Sequence, residues 1–509
     1  MLANIEHLVV VCFENRSLDN LLGYLYKPGD LPARNIPDAT PATYDGLAFG
    51  TFSNRDPKVN GGNPVFTREG TQNIWPPHHR PTMVPVPDPG EPFKDVQQQL
   101  SGNMSGFLSN YNKQKKVGKT AAQIMESYSS AQLPVLSTLA REFAVSDAWF
   151  CSIPTQTWPN RSFIHAGTSD GNIVNAPYKP YNIDTIFNVL ERHAISWNVF
   201  ADTIYTPSLT RIQFTKLWDF LGGEFDSFSE FQARCAAPAG ALASQKLPTY
   251  SFVEPRFIAE RDAHLRVMHS EDYHPPHDVR PAEAFLAKVY NAVAGSPYRD
   301  RILLAITFDE HGGTYDHVFP GPATPPDQKT KKYAFDQFGV RVPAILISSY
   351  VAAGTVFRST TGVPYDHTSI LATLRDWQSL SDDFLPSERI ANAPTFVNVL
   401  TESQPRDWPA LGAPLLAAAM AASDAFPAAE VAEEELNQPL DDLGKSIVIG
   451  TERMLRAYES TAGTAPAAAA AAVESPAIEA EVAPHLRNVR EATDYLRRRM
   501  AETPTKSIP

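Results

Sequence analysis

An α/β fold is the class this sequence predicts, with a mostly parallel central sheet covered by helices on both faces. Three observations carry that expectation. Apolar runs bounded by polar or Gly-rich turns recur at 5–13, 302–306 and 342–348, as strands buried on both faces require. Stretches with helical spacing alternate with them, for example Arg280 to Ala294, and such alternation belongs to parallel sheets. Past about residue 405 Ala dominates, which predicts a helical extension.

Taken in chain order, Ile5 to Phe13 reads as the first buried strand and delivers Glu14-Asn15-Arg16-Ser17 at its carboxyl end. Residues 28–92 are rich in Pro, Gly, Asn and Asp with weak periodicity, the texture of a long ordered insert that walls a site. Helical spacing follows at Ala121 to Tyr128 and Leu133 to Phe143, then a strand at Phe143 to Phe150 leads into a polar turn ending in Arg161. Ile186 to His193 reads as a helix, and Ser196 to Phe200 and Tyr250 to Val253 as strands. Val342 to Ser348 is a further buried strand. In the extension, Ser446 to Tyr458 and Ile478 to Met500 have helical spacing, separated by an Ala/Thr/Gly/Pro linker at 461–476. Arg487, Arg490 and Arg497 to Arg499 on the last stretch read first as a solvated face and second as a docking surface.

The chain has 509 residues, is 43% hydrophobic and 20% charged, and carries a net charge of −13. That balance is ordinary for a globular protein and argues against a nucleic-acid partner. It does not exclude anionic substrates, because a bound cation inverts the local field. The three cysteines, Cys12, Cys151 and Cys235, are too few and too odd in number for a disulfide framework. No basic segment with a following apolar stretch opens the chain, and the longest near-apolar run, Ala410 to Ala422, is too short to cross a bilayer. A soluble protein without a Sec signal is the expectation, either cytoplasmic or exported by a route independent of a signal peptide.

The densest chemistry lies at Thr307 to Val318, where two Asp, one Glu and two His surround a Gly pair directly after an apolar run. Loops at the carboxyl ends of parallel strands converge on one crevice. Four such clusters qualify: Glu14-Asn15, Thr155 to Arg161, the loop histidines His274 and His277, and Asp309-Glu310-His311. Together they offer carboxylate oxygens, an amide oxygen, a hydroxyl and imidazoles. Hard oxygen donors favour Ca, Mg or Mn, and added imidazole admits Zn or Fe. A hydroxyl beside such a cation is a candidate nucleophile.

Read singly, each cluster has a bland explanation, such as a helix cap or a surface turn. Read together they resemble one family. Glu14 to Asp19 resembles the ENRSFD motif of the phosphoesterase family that contains nonspecific phospholipases C and acid phosphatase A. Thr157 to Arg161 resembles its T-x-P-N-R motif, and Asp309 to Val318 matches DEHGG-x-YDHV. Val253 to Phe257, His274 to Val279, Gly339 to Pro343 and Tyr365 to Ser369 complete the blocks in order. The resemblance spans about residues 5 to 400 and is strongest to the bacterial and plant phospholipase C branch. It implies an alkaline-phosphatase-like core over 1–405, with 406–509 as the helical extension.

The same resemblance implies a divalent metal on Glu14, Asn15, Asp309 and Glu310, with Thr157 as nucleophile and also near the metal. His274, His277 and His367 would bind phosphoryl oxygens or shuttle protons. Asn160 and Arg161 would bind substrate. One departure stands out: where the family carries a D-P-G-H block, this chain reads Asp88-Pro89-Gly90-Glu91. His78 or His79, just upstream, would then supply the missing imidazole for substrate binding. The implied activity is phospholipase C, with an acid phosphatase as the alternative and an inactive scaffold on the same fold as the reading from another class. The implied substrate is a phospholipid or another phosphate ester, met at most peripherally at a membrane. The C-terminal helices would serve oligomerisation or partner docking.

Overall fold

The computed structural model describes residues 4–71, 81–115, 117–177, 179–220, 223–329, 333–380, 384–410, 435–461, 466–470 and 475–502. His78 and His79 lie outside the described residues, as does most of the 410–422 run.

The first half contributes β1 (His7–Phe13), α1 (Leu18–Leu22), β2 (Arg34–Ile36), α2 (Pro134–Glu142) and β3 (Ala144–Ser146). Next come α3 (Thr157–Ala166), β4 (Trp197–Ala201), α4 (Leu209–Gln213), β5 (Phe225–Ser227) and β6 (Tyr250–Glu254). Then follow α5 (Val279–Ala294), β7 (Ile302–Phe308), β8 (Ala344–Ile347), β9 (Thr355–Phe357) and α6 (Thr368–Gln378). The extension carries α7 (Asp442–Ser460), α8 (Ser475–Val482) and α9 (Val489–Glu502).

Nine strands form one sheet in the order β5-β4-β6-β1-β7-β8-β3-β9-β2. All neighbouring pairs are parallel except those of β8, which runs antiparallel to both β7 and β3. The mostly parallel α/β sheet is therefore as expected, with one reversed strand that apolar content alone does not reveal. Every residue of β1 and β7 is buried, which requires cover on both faces. Register pairs Val10 with Phe252, and alternate residues point to opposite faces, so Phe13 and Phe252 lie on opposite sides. Phe13 packs on Phe285 of α5, and Phe252 packs on His165 of α3. The two helices thus sandwich the middle of the sheet.

Local chemistry explains where expectation and structure part. Residues 118–125 form 3₁₀ turns and then extend at Glu126–Ser127, where an α-helix over 121–128 was expected. The Gly118 start, with φ +60, opens a turn and not a regular helix. The strand expected over 143–150 divides into β3 and the pair Trp149–Phe150. The helix expected over 478–500 is broken between α8 and α9, at Ala483-Pro484, because a Pro inside a helix removes a donor and clashes with the preceding turn.

The extension shares the main core. Leu436, Leu440, Ile447, Val448, Tyr495 and Leu496 belong to the same apolar cluster as β1 and β7. Arg211 of α4 donates to the Tyr458 hydroxyl of α7 at 2.8 Å. Gly450 of α7 sits so close to α4 that a Cβ there would lie 2.1 Å from Ile212 Cγ2 and 3.7 Å from Trp158 Cη2. All three cysteines are buried and free. Among the described residues, no helix is long and apolar enough to cross a membrane.

Candidate active site

The carboxyl ends of β6, β1 and β7, three adjacent parallel strands, deliver Glu254, Glu14 and Asp309 to one edge of the sheet. β3 adds the nucleophile candidate by a short route. Its chain passes through Trp149–Phe150 and a tight polar turn into α3, whose first residue is Thr157. Asn160 builds that turn. Its side chain accepts from Ile153 N at 3.0 Å and donates to the carbonyls of Ile153, Thr155 and Gln156. Pro159 costs nothing in the first turn, where no amide donor is needed.

Thr157 Oγ1 donates within reach of Glu14 Oε2 at 3.1 Å and Asn15 Oδ1 at 3.3 Å. The other Glu14 oxygen accepts from Arg161 Nε at 2.7 Å. Arg161 and Glu14 are both fully buried, and Arg161 also lies 3.7 Å from Glu254 and 3.9 Å from Asp309. Burial works against the Arg161 charge, but Glu14, Asp309 and Glu254 outweigh it and keep the guanidinium charged. Asn160 and Arg161, expected to contact substrate, respectively hold the nucleophile turn and meet Glu14 and the Cys12 carbonyl.

The β7 loop completes the acidic side. Asp309 Oδ1 accepts from Asn15 N at 3.0 Å and Glu310 N at 2.7 Å. Asp309 Oδ2 and Glu310 Oε1 are buried and accept no hydrogen bond among the described residues. Burial pushes the Glu310 carboxyl well above its usual range, and Glu91 and Asp309 add to it. Burial likewise raises Glu14, with Arg161 opposing and Asp309 reinforcing the shift. Buried carboxylates in excess of one arginine, with two oxygens unsatisfied, are what a divalent cation would correct. Glu14, Asn15, Thr157, Asp309 and Glu310 present the hard oxygen donors that such an ion takes.

Gly312 and Gly313 turn the loop away with φ +59 and +63. A Cβ on Gly312 would stand 2.0 Å from the Asn15 carbonyl oxygen. We expect Gly312→Ala to cost at least about 2–3 kcal/mol through strain and clash. It should also lower kcat more than tenfold by moving Asn15. Denaturant unfolding and steady-state rates check both. An unperturbed variant would show that this close approach does not set the site.

Behind the loop, Arg341 pairs with Asp19 at 3.1 Å and Asp316 at 3.0 Å, and His317 pairs with Asp19 at 2.6 Å. This network ties the loop to α1. Burial pushes His311 down to about 3; its Nε2 meets Gln99 Oε1 at 2.8 Å. These residues support the site and do not line it.

Three histidines complete the set. His367 Nε2 meets the Asp309 carbonyl at 2.6 Å, and Trp149 Nε1 donates toward His367 Nδ1 at 3.4 Å. Burial lowers its pKa. With both nitrogens engaged, His367 holds the Asp309 backbone. His274 and His277 stand apart, their rings 5.6 Å from one another. His274 Nε2 lies 3.4 Å from Glu91 Oε1, and His277 Nδ1 lies 2.8 Å from Asp272. Burial opposes the charge on His274, but Asp88, Glu91 and Asp441 raise its pKa well above the ordinary value. Burial opposes His277 too, and Asp272 raises it. Glu91 is not a bare charge facing the site: Asn15 Nδ2 donates to it at 2.5 Å.

Sequence reading missed Glu254, Asp272 and Asp441. Glu254 accepts from Leu209 N at 2.9 Å and Thr210 N at 3.0 Å, fastening α4 beside Arg161. Its place directly at the end of a strand was a usable signal. Asp441 gave none, because nothing in its surroundings marks it as near His274.

A hydroxyl within reach of a carboxylate, with unsatisfied acidic oxygens beside it and two imidazoles nearby, suits the hydrolysis of phosphoric esters. A model of the phosphoesterase family matches residues 5–381. Non-specific phospholipase C3 of Arabidopsis thaliana is similar, 30% identical over 424 residues that span 79% of this chain and 74% of its own. Phospholipase C B of Mycobacterium tuberculosis is 23% identical over 427 residues, 74% of this chain and 73% of its own. Among solved structures, a protein in the alkaline phosphatase superfamily from Vibrio parahaemolyticus covers 60% of this chain and 71% of its own at 11% identity and a TM-score of 0.30, a likeness too distant to build on. The chain belongs to the phosphoesterase family and is an enzyme that hydrolyses phosphoric esters.

Proposed function

We propose that this enzyme is a phospholipase C, cleaving glycerophospholipids to diacylglycerol and a phosphorylated headgroup. The observation that carries the mechanism is the Thr157 hydroxyl, 3.1 Å from Glu14 Oε2 at the first residue of a helix. Glu14 orients the hydroxyl, and Thr157 Oγ1 gives its proton to water as it bonds to phosphorus. The phosphorus–oxygen bond to diacylglycerol breaks, and a proton from His274 or His277 goes to the leaving oxygen. Water then attacks the phosphothreonine, giving a proton to the imidazole that donated in the first step; the phosphorus–Oγ1 bond breaks, Thr157 regains its hydroxyl proton from water, and the headgroup phosphate leaves. The amino end of α3 presents a favourable dipole to the phosphoryl oxygens. Glu14, Asn15, Asp309, Glu310 and the Thr157 oxygen would hold a divalent cation, which when bound neutralises charge on the phosphoryl group. His367 and Arg161 keep these groups in place.

The names of the relatives support this substrate class, and peripheral contact with lipid follows from it. The test compares phosphatidylcholine, p-nitrophenyl phosphate and p-nitrophenyl phosphocholine, with protein stripped by chelation and then reloaded with Ca, Mg, Mn, Zn or Fe. We expect diacylglycerol from the lipid, loss of turnover on chelation, and recovery with at least one ion. Turnover of the monoester alone would establish the phosphatase reading. Full activity after verified metal removal would overturn the cation.

A further inference from the structure

A cavity of 430 Å³ stands beside the site, within the range of small-molecule pockets. It shares Glu91 and His277 with the site, and Met83, Val86 and Pro281 add apolar lining. The C-terminal extension supplies one side of the lining, including Glu435, Gln438, Asp441 and Lys445, and the 83–92 and 269–281 segments supply most of the rest. The extension is strapped down firmly. Glu435 accepts from Ser270 N at 2.9 Å and Ser270 Oγ at 2.8 Å, and it bonds His269. Burial favours a neutral Glu435, but His269 outweighs it and holds the carboxyl at about 2. Farther along, Gln438 O accepts from Val489 N of α9 at 3.1 Å.

Asp441 divides its two oxygens. Oδ1 caps α7 by accepting from Gly444 N at 2.5 Å. Oδ2 lies 4.0 Å from His274 Nδ1 and 3.9 Å from His277 Nε2. The extension therefore touches both imidazoles that the mechanism uses. A phosphomonoester has one organic arm, and a diester has two. The cavity adjoins the reacting groups and is large enough for an arm that does not leave.

We propose that the C-terminal extension builds the subsite for the second organic arm of a phosphodiester, with Asp441 as a positioning residue for His274 and His277. This rests on the phosphoesterase mechanism above and adds the source of its selectivity. The test uses the full chain loaded with metal, and p-nitrophenyl phosphate and p-nitrophenyl phosphocholine as probes. Gln438→Trp fills the cavity. The ratio of kcat/KM for diester over monoester should fall at least tenfold, mainly through KM. Asp441→Asn keeps the cap, since Asn caps a helix as well as Asp, and removes the charge. Its kcat on the diester should fall about tenfold, while the thermal midpoint stays put. If Gln438→Trp does not fold, Asp442→Tyr on the exposed rim of the cavity reads the same ratio. Ratios within twofold of the unmutated enzyme, together with an unchanged Asp441→Asn, overturn the subsite alone. An unmutated enzyme that accepts only the monoester overturns the subsite and the phospholipase reading together.

Discussion

Thr157→Ala should reduce kcat on the order of 10⁴-fold or more while the protein stays folded. In the proposed mechanism the hydroxyl bonds to phosphorus, so its loss would remove the covalent route and leave only binding and electrostatic assistance. Alanine fits the position: Thr157 opens α3, and Ala is the best helix former. The lost hydrogen bonds, to Glu14 and Asn15, are made by a side chain whose partners keep other contacts. Thermal and denaturant midpoints should therefore move little. Rapid-quench trapping of a labelled phosphoenzyme should succeed with the unmutated protein and fail with the variant. A variant with more than a tenth of normal activity would remove Thr157 from the chemistry.

Arg161→Met should have the largest effect on stability, a loss of about 3–5 kcal/mol, because it leaves buried carboxylates without their cation. That is a large fraction of the roughly 5–15 kcal/mol that holds a domain together. Glu14 and Glu254 are fully buried beside Arg161, so water cannot replace it. The side chain also packs 4.8 Å from the Phe257 ring centroid, and methionine retains much of that apolar contact. The variant should gain stability with a divalent ion, by more than the unmutated protein does at equal concentration. Urea titrations with and without metal measure both quantities. Equal stability with and without Arg161 would mean that Glu14 and Glu254 are protonated in the native state.

Much of this candidate site was legible in the sequence because its acidic residues lie at strand ends, where apolar runs stop. Ile5 to Phe13 and Ile302 to Ile306 announce Glu14 and Asp309 in this way, and the structure lays them side by side with Val10 opposite Ala305. Short strands such as β2, β5 and β9 carry three residues each, too few for a period to register. The orientation of β8 was hidden for another reason: Ala344–Ile347 is fully buried, and an apolar run reads the same in both directions. Side-chain commitments were hidden too. Asn160, Arg161 and His367 are the residue types that bind phosphate, and only coordinates reveal that their donors point at backbone and carboxylate. Asp441 lies more than 160 positions from His274, and no local pattern links them.

The contact of Gly450 with the surface near Trp158 has a consequence for synthesis. Trp158 is made early, and the helix that packs beside it follows about 290 residues later, which at roughly 5–20 residues per second is a wait of about 15–60 s. Throughout that interval the residue next to Thr157 lacks the α7 backbone that Gly450 brings beside it in the finished fold. The nascent chain thus holds Glu14, Asn15, Asp309 and Glu310 before α3 gains its α7 neighbour. A chain that ends before Asp442 should therefore turn over phosphate esters more slowly than the full chain even when its sheet is complete.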